Sequence, residues 1–327
     1  MQYIAPYSGC AIAEQPLPEP RVAVGPQDVV EVDRERAARY GADVAVLGEG
    51  EETTWELFAT LSDGNGAKGL FGSMAAIPGL AYRDAGSKVV QTAPRAPILD
   101  LESLPWPAYD LVDMEAYFSQ LHTHLSPQQA RARYAPVFSS RGCPYRCIYC
   151  QHMFGRQIRY RSPEAVLAQV RHLVETYGVR EIHFEDDSFN VDLDRAKRIF
   201  DLLAASGLNL RIAFPNGVRG DRVDEELIAK GKAAGLYSIA FGIESASPRI
   251  LAMIHKSLSM DQVRAAIDLE FVAGFHRCPQ VAEMHGVEGS PEDTDSTPAA
   301  RFFKRAHAAL HRGPPRTDRR ETRAAYN

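Results

Sequence analysis

Val137-Phe138-Ser139-Ser140-Arg141-Gly142-Cys143-Pro144-Tyr145-Arg146-Cys147-Ile148-Tyr149-Cys150 joins a short β-prone run directly to three cysteines. The run at Val137 to Ser139 is the first of a series. Glu181 to Glu185, Leu210 to Phe214, Tyr237 to Phe241 and a fifth candidate at Val281 to Met284 resemble it in length and content, with helical stretches between them. Such alternation is the signal of parallel strands joined by crossover helices. The helix boundaries are marked as well. Ser162-Pro163-Glu164 sets a capping serine before a proline at the first helical position, and Ser259 or Asp261 can cap a helix running to Val272. Gly178, Gly207 and Gly235 fall where helices should stop. Four units are clear and a fifth is expected, so residues 133–311 predict part of a TIM-like (β/α) barrel, with its active site at the C-terminal ends of the strands.

Upstream the pattern is again α/β. Arg21 to Gly25 is a short apolar run, Asp33 to Tyr40 a helical stretch and Asp43 to Leu47 a second β-rich run. That run ends in Gly48-Glu49-Gly50-Glu51, and Thr53 leads into Trp55, Leu57, Phe58 and Leu61, whose spacing predicts one face of a helix. Residues 1–65 therefore read as a partial Rossmann-like α/β domain. Residues 66–132 read as a linker region rich in Gly, Pro and Ala at its start, with short strand candidates at Leu80 to Tyr82 and Val89-Val90. From Arg312 the chain is rich in Arg, Pro and Thr without periodicity, and residues 312–327 predict a solvated, disordered tail.

Composition narrows the function. The 327 residues are 45% hydrophobic, enough for a substantial core, and a formal net charge of −5 offers no global positive field for a phosphate backbone. A small molecule or peptide is the expected substrate, with no nucleic acid. Met1 to Cys10 lacks a basic start, and no apolar run approaches the roughly 18 residues that a membrane helix needs. A cytoplasmic protein with no membrane span is expected. Of the five cysteines, Cys143, Cys147 and Cys150 crowd together while Cys10 and Cys278 stand far off, which favours a metal site over disulfides.

Three thiolates at this spacing can each take one iron of a cubane cluster and leave the fourth iron open to a small molecule. Two other readings stand beside this one: a zinc site completed by a histidine such as His152, and a redox pair of Cys147 and Cys150. Zinc sites usually pair two separated couples, and a redox dithiol has no use for a third cysteine.

The triplet, with aromatic Tyr149 before its last cysteine, resembles the signature of the radical S-adenosylmethionine (SAM) superfamily. That resemblance implies a [4Fe-4S] cluster on Cys143, Cys147 and Cys150. It implies SAM bound at the open iron and cleaved to a 5'-deoxyadenosyl radical, and a reductase or a flavodoxin or ferredoxin as electron donor. His183-Phe184-Glu185-Asp186-Asp187-Ser188-Phe189 resembles the acidic strand end that contacts the cofactor's amine, with Glu185 and Asp186 the leading candidates and Asp187 or Ser188 able to cap a helix instead. Asn216 and Arg219 after the third strand, and Glu244 and Ser245 after the fourth, complete the expected cofactor-binding set with Tyr149.

The run from Arg141 to Lys256 resembles the subgroup that carries an N-terminal cobalamin-binding domain. Gly41 to Thr53 resembles the close of that domain, and Leu101 to Tyr109 its connection to the barrel. Methyl transfer or cyclisation is the implied chemistry, and cobalamin a candidate cofactor. No Asp-x-His-x-x-Gly sequence supplies a cobalt ligand, and the first half of the cobalamin-type sheet is not found. Met284 to Asp293 resembles the fifth strand-end turn, but Glu288 stands where proline is usual, Pro279 interrupts the strand before it, and a sixth strand is not found. A chain shortened at both ends is expected on these grounds. The alternative function is a truncated, inactive relative that binds the cluster and acts as a binding protein.

Overall fold

The computed structural model describes residues 22–25, 44–62, 73–84, 88–119, 133–150, 153–245 and 247–273. They form two compact units. One comprises the chain through Ser103 with Arg141–Pro144 and Gln151–Tyr160, and the other comprises Leu104–Ser140, Tyr145–Cys150 and the chain from Arg161. The expected helix at Asp33 to Tyr40, the strand candidate at Val281 to Met284, the turn that follows it, the tail and His152 lie outside the described residues.

In the first unit, β1 (Val22–Gly25) runs parallel to β2 (Val44–Leu47). The strand candidates within the expected connection are real strands: β3 (Leu80–Arg83) pairs antiparallel with β2, and β4 (Val89–Gln91) with β3. Helix α1 (Glu51–Ser62) follows β2 through Gly48 at φ +77°. Its buried face differs from the expected one. Thr53 and Leu57 are fully buried, Leu61 packs on the same cluster, and Trp55 is 75% exposed. Positions 53, 57 and 61 lie four apart and share a stripe, whereas position 55 lies two residues from each neighbour and faces away. Thr53 can be buried because its hydroxyl donates to the Pro78 carbonyl at 3.1 Å.

The second unit is a four-stranded parallel sheet in the order β8-β7-β6-β5, with β5 (Tyr134–Val137), β6 (Glu181–Phe184), β7 (Arg211–Val218) and β8 (Leu236–Phe241). Before it, α2 (Met114–Ser119) is capped by Asp113. Crossover helices α3 (Pro163–Tyr177), α4 (Leu193–Ala205) and α5 (Glu225–Ala234) connect the strands. Ser162, Asp192 and Asp224 cap them, each accepting a backbone N–H three residues on. Gly178 and Gly235 end α3 and α5 in the left-handed conformation. At Gly235 a Cβ would stand 2.0 Å from the Leu210 carbonyl oxygen, so the position excludes every side chain. After β8 come α6 (Pro248–Met253) and α7 (Met260–Ala273). This is a partial TIM-like barrel. Among the described residues, no helix is long and apolar enough to cross a membrane.

One face of this sheet is apolar. Val137, Ile182, Phe184, Ile212, Phe214, Ile239 and Phe241 pack with Val170, Leu173, Ile199 and Phe200 of the helices. The alternate residues of β6 face the other way, where the buried Glu181 carboxylate meets His183 Nε2 at 2.7 Å and the Tyr237 hydroxyl at 2.6 Å. β7 runs past the expected end at Phe214, through Pro215-Asn216-Gly217. Between the pairs Phe214–Ile239 and Val218–Phe241, β7 advances four residues while β8 advances two. Pro215, which has no N–H to give a ladder, sits in that irregularity, and Gly217 crosses it at φ +83°.

Candidate functional site

The cysteine loop begins just past the C-terminal end of β5, the rim on which barrel active sites are built. In the second unit it comprises Tyr145–Cys150. The Cys150 N–H donates to the Cys147 carbonyl at 3.3 Å, a tight turn between the last two cysteines. The Ile148 N–H donates to the Ile254 carbonyl at 3.1 Å, which ties the loop to the turn after α6. Cys147 is buried, Cys150 is exposed, and no disulfide involves Cys143, Cys147 or Cys150.

Two buried cations grip this loop through its aromatic residues. The Arg219 guanidinium lies 3.7 Å from the centre of the Tyr145 ring, a cation–π contact. Its fork is held by Asp221, with Nε to Oδ1 at 2.8 Å and Nη2 to Oδ2 at 2.6 Å, and by the Ser257 carbonyl. The Lys256 ammonium donates to the Tyr149 hydroxyl at 3.1 Å and to Glu244 Oε1 at 2.9 Å. Burial pushes the Tyr149 phenol well above its usual range, and the charges of Glu244 and Cys147 push it the same way, so the hydroxyl keeps its proton. The expected cofactor ligands Tyr149 and Glu244 thus come together around a lysine absent from the expected set. Ser245 is used locally, its hydroxyl accepting the Ser247 N–H at 3.1 Å.

The acidic end of β6 divides in two. Asp186, 2% exposed, accepts the Ser139 N–H at 3.2 Å, the Ser139 hydroxyl at 2.8 Å and the Ser140 hydroxyl. Glu185 is half-buried, and its carboxylate takes no hydrogen bond from the described residues. Burial pushes that carboxyl up, as does Asp186, against the opposing pull of His183. The difference follows from alternation, since adjacent residues at a strand end face opposite sides. Asn216 is exposed and donates to the Glu185 carbonyl at 2.9 Å, linking the ends of β7 and β6.

In the first unit, the Cys143 N–H donates to the Gly155 carbonyl at 3.2 Å. Gly142 before it has φ +91°, and a Cβ there would meet the Gln157 carbonyl oxygen at 2.4 Å. Arg141 is held by Glu49 at 3.0 Å and by Glu51, and Glu49 also takes Arg159 at 2.6 Å. The Gly48-Glu49-Gly50-Glu51 turn thereby anchors the residues leading into Cys143. Among the described residues, no three His, Cys, Asp or Glu side chains are gathered at metal-ligating distance.

Residues 137–297 match the family described as the Radical SAM superfamily. The chain belongs to that superfamily. This radical SAM chain is 34% identical over 236 residues to an uncharacterized methyltransferase of Pyrococcus horikoshii, covering 72% of the chain and 47% of the relative. It is 31% identical over 258 residues to cytidylyl-2-hydroxyethylphosphonate methyltransferase of Streptomyces wedmorensis, covering 72% and 46%. The chain thus spans about half the length of these curated relatives. Its fold matches that of the radical SAM methyltransferase TsrM from Kitasatospora setae at a TM-score of 0.58 and 19% identity, over 78% of this chain and 48% of that one. Membership in the radical SAM superfamily implies a [4Fe-4S] cluster and SAM. The donor chemistry fits such a group: three cysteines in no disulfide, one of them exposed.

Proposed function

We propose that this chain is the core of a radical SAM methyltransferase, with Cys143, Cys147 and Cys150 as the ligands of a [4Fe-4S] cluster. One observation carries the reading: the Cys-x3-Cys-x2-Cys loop follows the first parallel strand, and Glu185, a half-buried carboxylate that takes no hydrogen bond from the described residues, ends the next. The cluster would supply the electron for reductive cleavage of SAM, and cobalamin is a candidate methyl carrier.

The chain's own residues would do the positioning. Glu185 would bind the cationic amine of SAM, because an ammonium leaving water needs a charge-assisted acceptor. Asn216 would offer its amide at the neighbouring strand end. Tyr149 and Glu244, joined through Lys256, and Arg219, stacked on Tyr145, would hold the cysteine loop in place. Asp186 would fix the ends of β5 and β6. Methyl transfer is favoured by the names of the two relatives above. A small molecule or peptide as substrate, a flavodoxin, ferredoxin or reductase as electron donor, and a cytoplasmic location belong to the same proposal.

Anaerobic reconstitution of the chain with iron and sulfide tests it. Bound iron and sulfide near four of each per chain, followed by release of 5'-deoxyadenosine or methyl transfer on reduction with SAM, is the expected result. Zinc in place of iron, or a reducible cluster that leaves SAM intact, would overturn it.

A further inference from the structure

Lys256 has no counterpart in the expected site, yet it is 8% exposed and reaches the cysteine loop from 107 residues away. Burying an ammonium is costly unless it is paired. Here the pairing is elaborate. The backbone before Lys256 is fixed by the end of α6, where Ile254 N–H donates to the Ile250 carbonyl at 2.9 Å, and His255 turns through φ +56°. The Lys256 N–H donates to the Leu251 carbonyl at 2.9 Å. On the opposite side Glu244 also holds a left-handed φ, +66°. Non-glycine residues keep such conformations where their surroundings over-determine them, and such sites cluster at functional positions. The pair lies against the backbone at Gly242, where a Cβ would stand in ordinary contact, 3.4 Å from Lys256 Nζ and 3.6 Å from Glu244 Oε1.

We infer that Lys256 is a positioning residue that locks the cysteine loop through Tyr149 and shields the thiolates of Cys147 and Cys150 from the carboxylate of Glu244. The inference rests on the cluster assignment proposed above. Tyr149 lies between the two cysteines in sequence, and the charges of both act on the hydroxyl that the ammonium holds. Without that ammonium, Glu244 would add an uncompensated negative charge beside a cluster already carrying thiolates. Reduction adds one more negative charge, so an unshielded Glu244 makes reduction harder.

The experiment uses the full chain, reconstituted anaerobically, as wild type, Lys256→Met, Lys256→Arg and the double variant Lys256→Met with Glu244→Gln. Iron and sulfide per chain are assayed, and the midpoint potential is read by a redox titration followed by paramagnetic resonance. Lys256→Met is expected to hold less iron and to shift the potential of what remains to more negative values. Lys256→Arg restores both, and the double variant restores the potential while its iron content stays low, because charge balance returns without the grip on Tyr149. Where Lys256→Met does not fold, the arginine and double variants carry the comparison. A Lys256→Met protein equal to wild type in iron and potential, or a double variant whose potential is not restored, overturns the inference and leaves the cluster assignment standing. A wild-type chain that takes up no iron–sulfur cluster overturns both.

Discussion

Asp186 accepts the hydroxyl of Ser139 at 2.8 Å, so an acid at the end of β6 fastens the end of β5 just before the cysteine loop. Arg195 of α4 joins the same knot, donating to the Ser139 carbonyl at 2.6 Å and the Arg161 carbonyl at 3.0 Å. The rim of the sheet is therefore held by polar contacts that are buried, where each lost partner is costly.

Burial is the largest influence on Asp186 and pushes its carboxyl above the ordinary 3.8, against the hydrogen bonds of Ser140 and Ser139. A group that holds its proton more tightly when folded stabilises the fold below its unfolded pKa, and loses that contribution as pH rises through the folded value. Asp186 should add to the melting profile a component that falls as pH rises above about 4, and Asp186→Asn should remove that component. Asp186→Ala strands an N–H and two hydroxyls and should cost about 2–3 kcal/mol in urea unfolding. An unchanged pH slope in the asparagine variant would refute this account.

Gly142→Ala should separate the cysteine loop from the stability of the sheet. The new methyl would press on the Gln157 carbonyl at 2.4 Å, and φ +91° disfavours any side chain. Iron retained after reconstitution should drop several-fold, while helical circular dichroism stays near that of the wild type. Full iron occupancy in this variant would count against a role for Gly142 in setting Cys143.

Arg219→Met should remove both the fork on Asp221 and the contact with Tyr145. With Asp221 still partly exposed, the expected loss is about 2–3 kcal/mol in a urea melt. Arg219→Lys should recover little, because an ammonium cannot be bidentate and stacked at once. Amide exchange at 145–150 should quicken in both, and protection equal to the wild type would show that the loop does not depend on this cation.

Glu49→Ala should leave two guanidinium groups, on Arg141 and Arg159, without their shared carboxylate, and cost about 3 kcal/mol. Glu51 responds to pH in the opposite sense to Asp186. Burial raises its carboxyl, but the hydrogen bond and charge of Arg141 outweigh burial and hold it below 4.5. Its contribution is present above that value and lost as pH falls through the folded pKa. Glu51→Gln should therefore blunt acid destabilisation in a melt series below about pH 5.

Features written in consecutive residues were legible in the sequence. Ser162 before Pro163, the stops at Gly178 and Gly235, and the spacing of the three cysteines are local, and each needs no partner from elsewhere. What depends on distant partners was not legible. Leu57 and Trp55 are both large and apolar, and only the position of β3 decides which is covered. Glu185 and Asp186 read alike until the serines of the neighbouring strand claim one of them. Lys256 follows a short helix with no periodic signal, and its meaning comes from Tyr149 on the far side of the sheet's sequence. Pro215 and Gly217 read as the end of a strand, because an irregular strand and a turn use the same residues.

The two surplus residues of β7 give that strand slack, and the slack lies just before Arg219. Removing one of them would turn the guanidinium to the opposite face of the sheet, away from Tyr145. Removing both would put β7 back in step with β8 while Val218 stays opposite Phe241, so the guanidinium would keep both its face and its place. The side of the sheet on which this positive charge stands is thus set by whether the surplus is odd or even, not by its length.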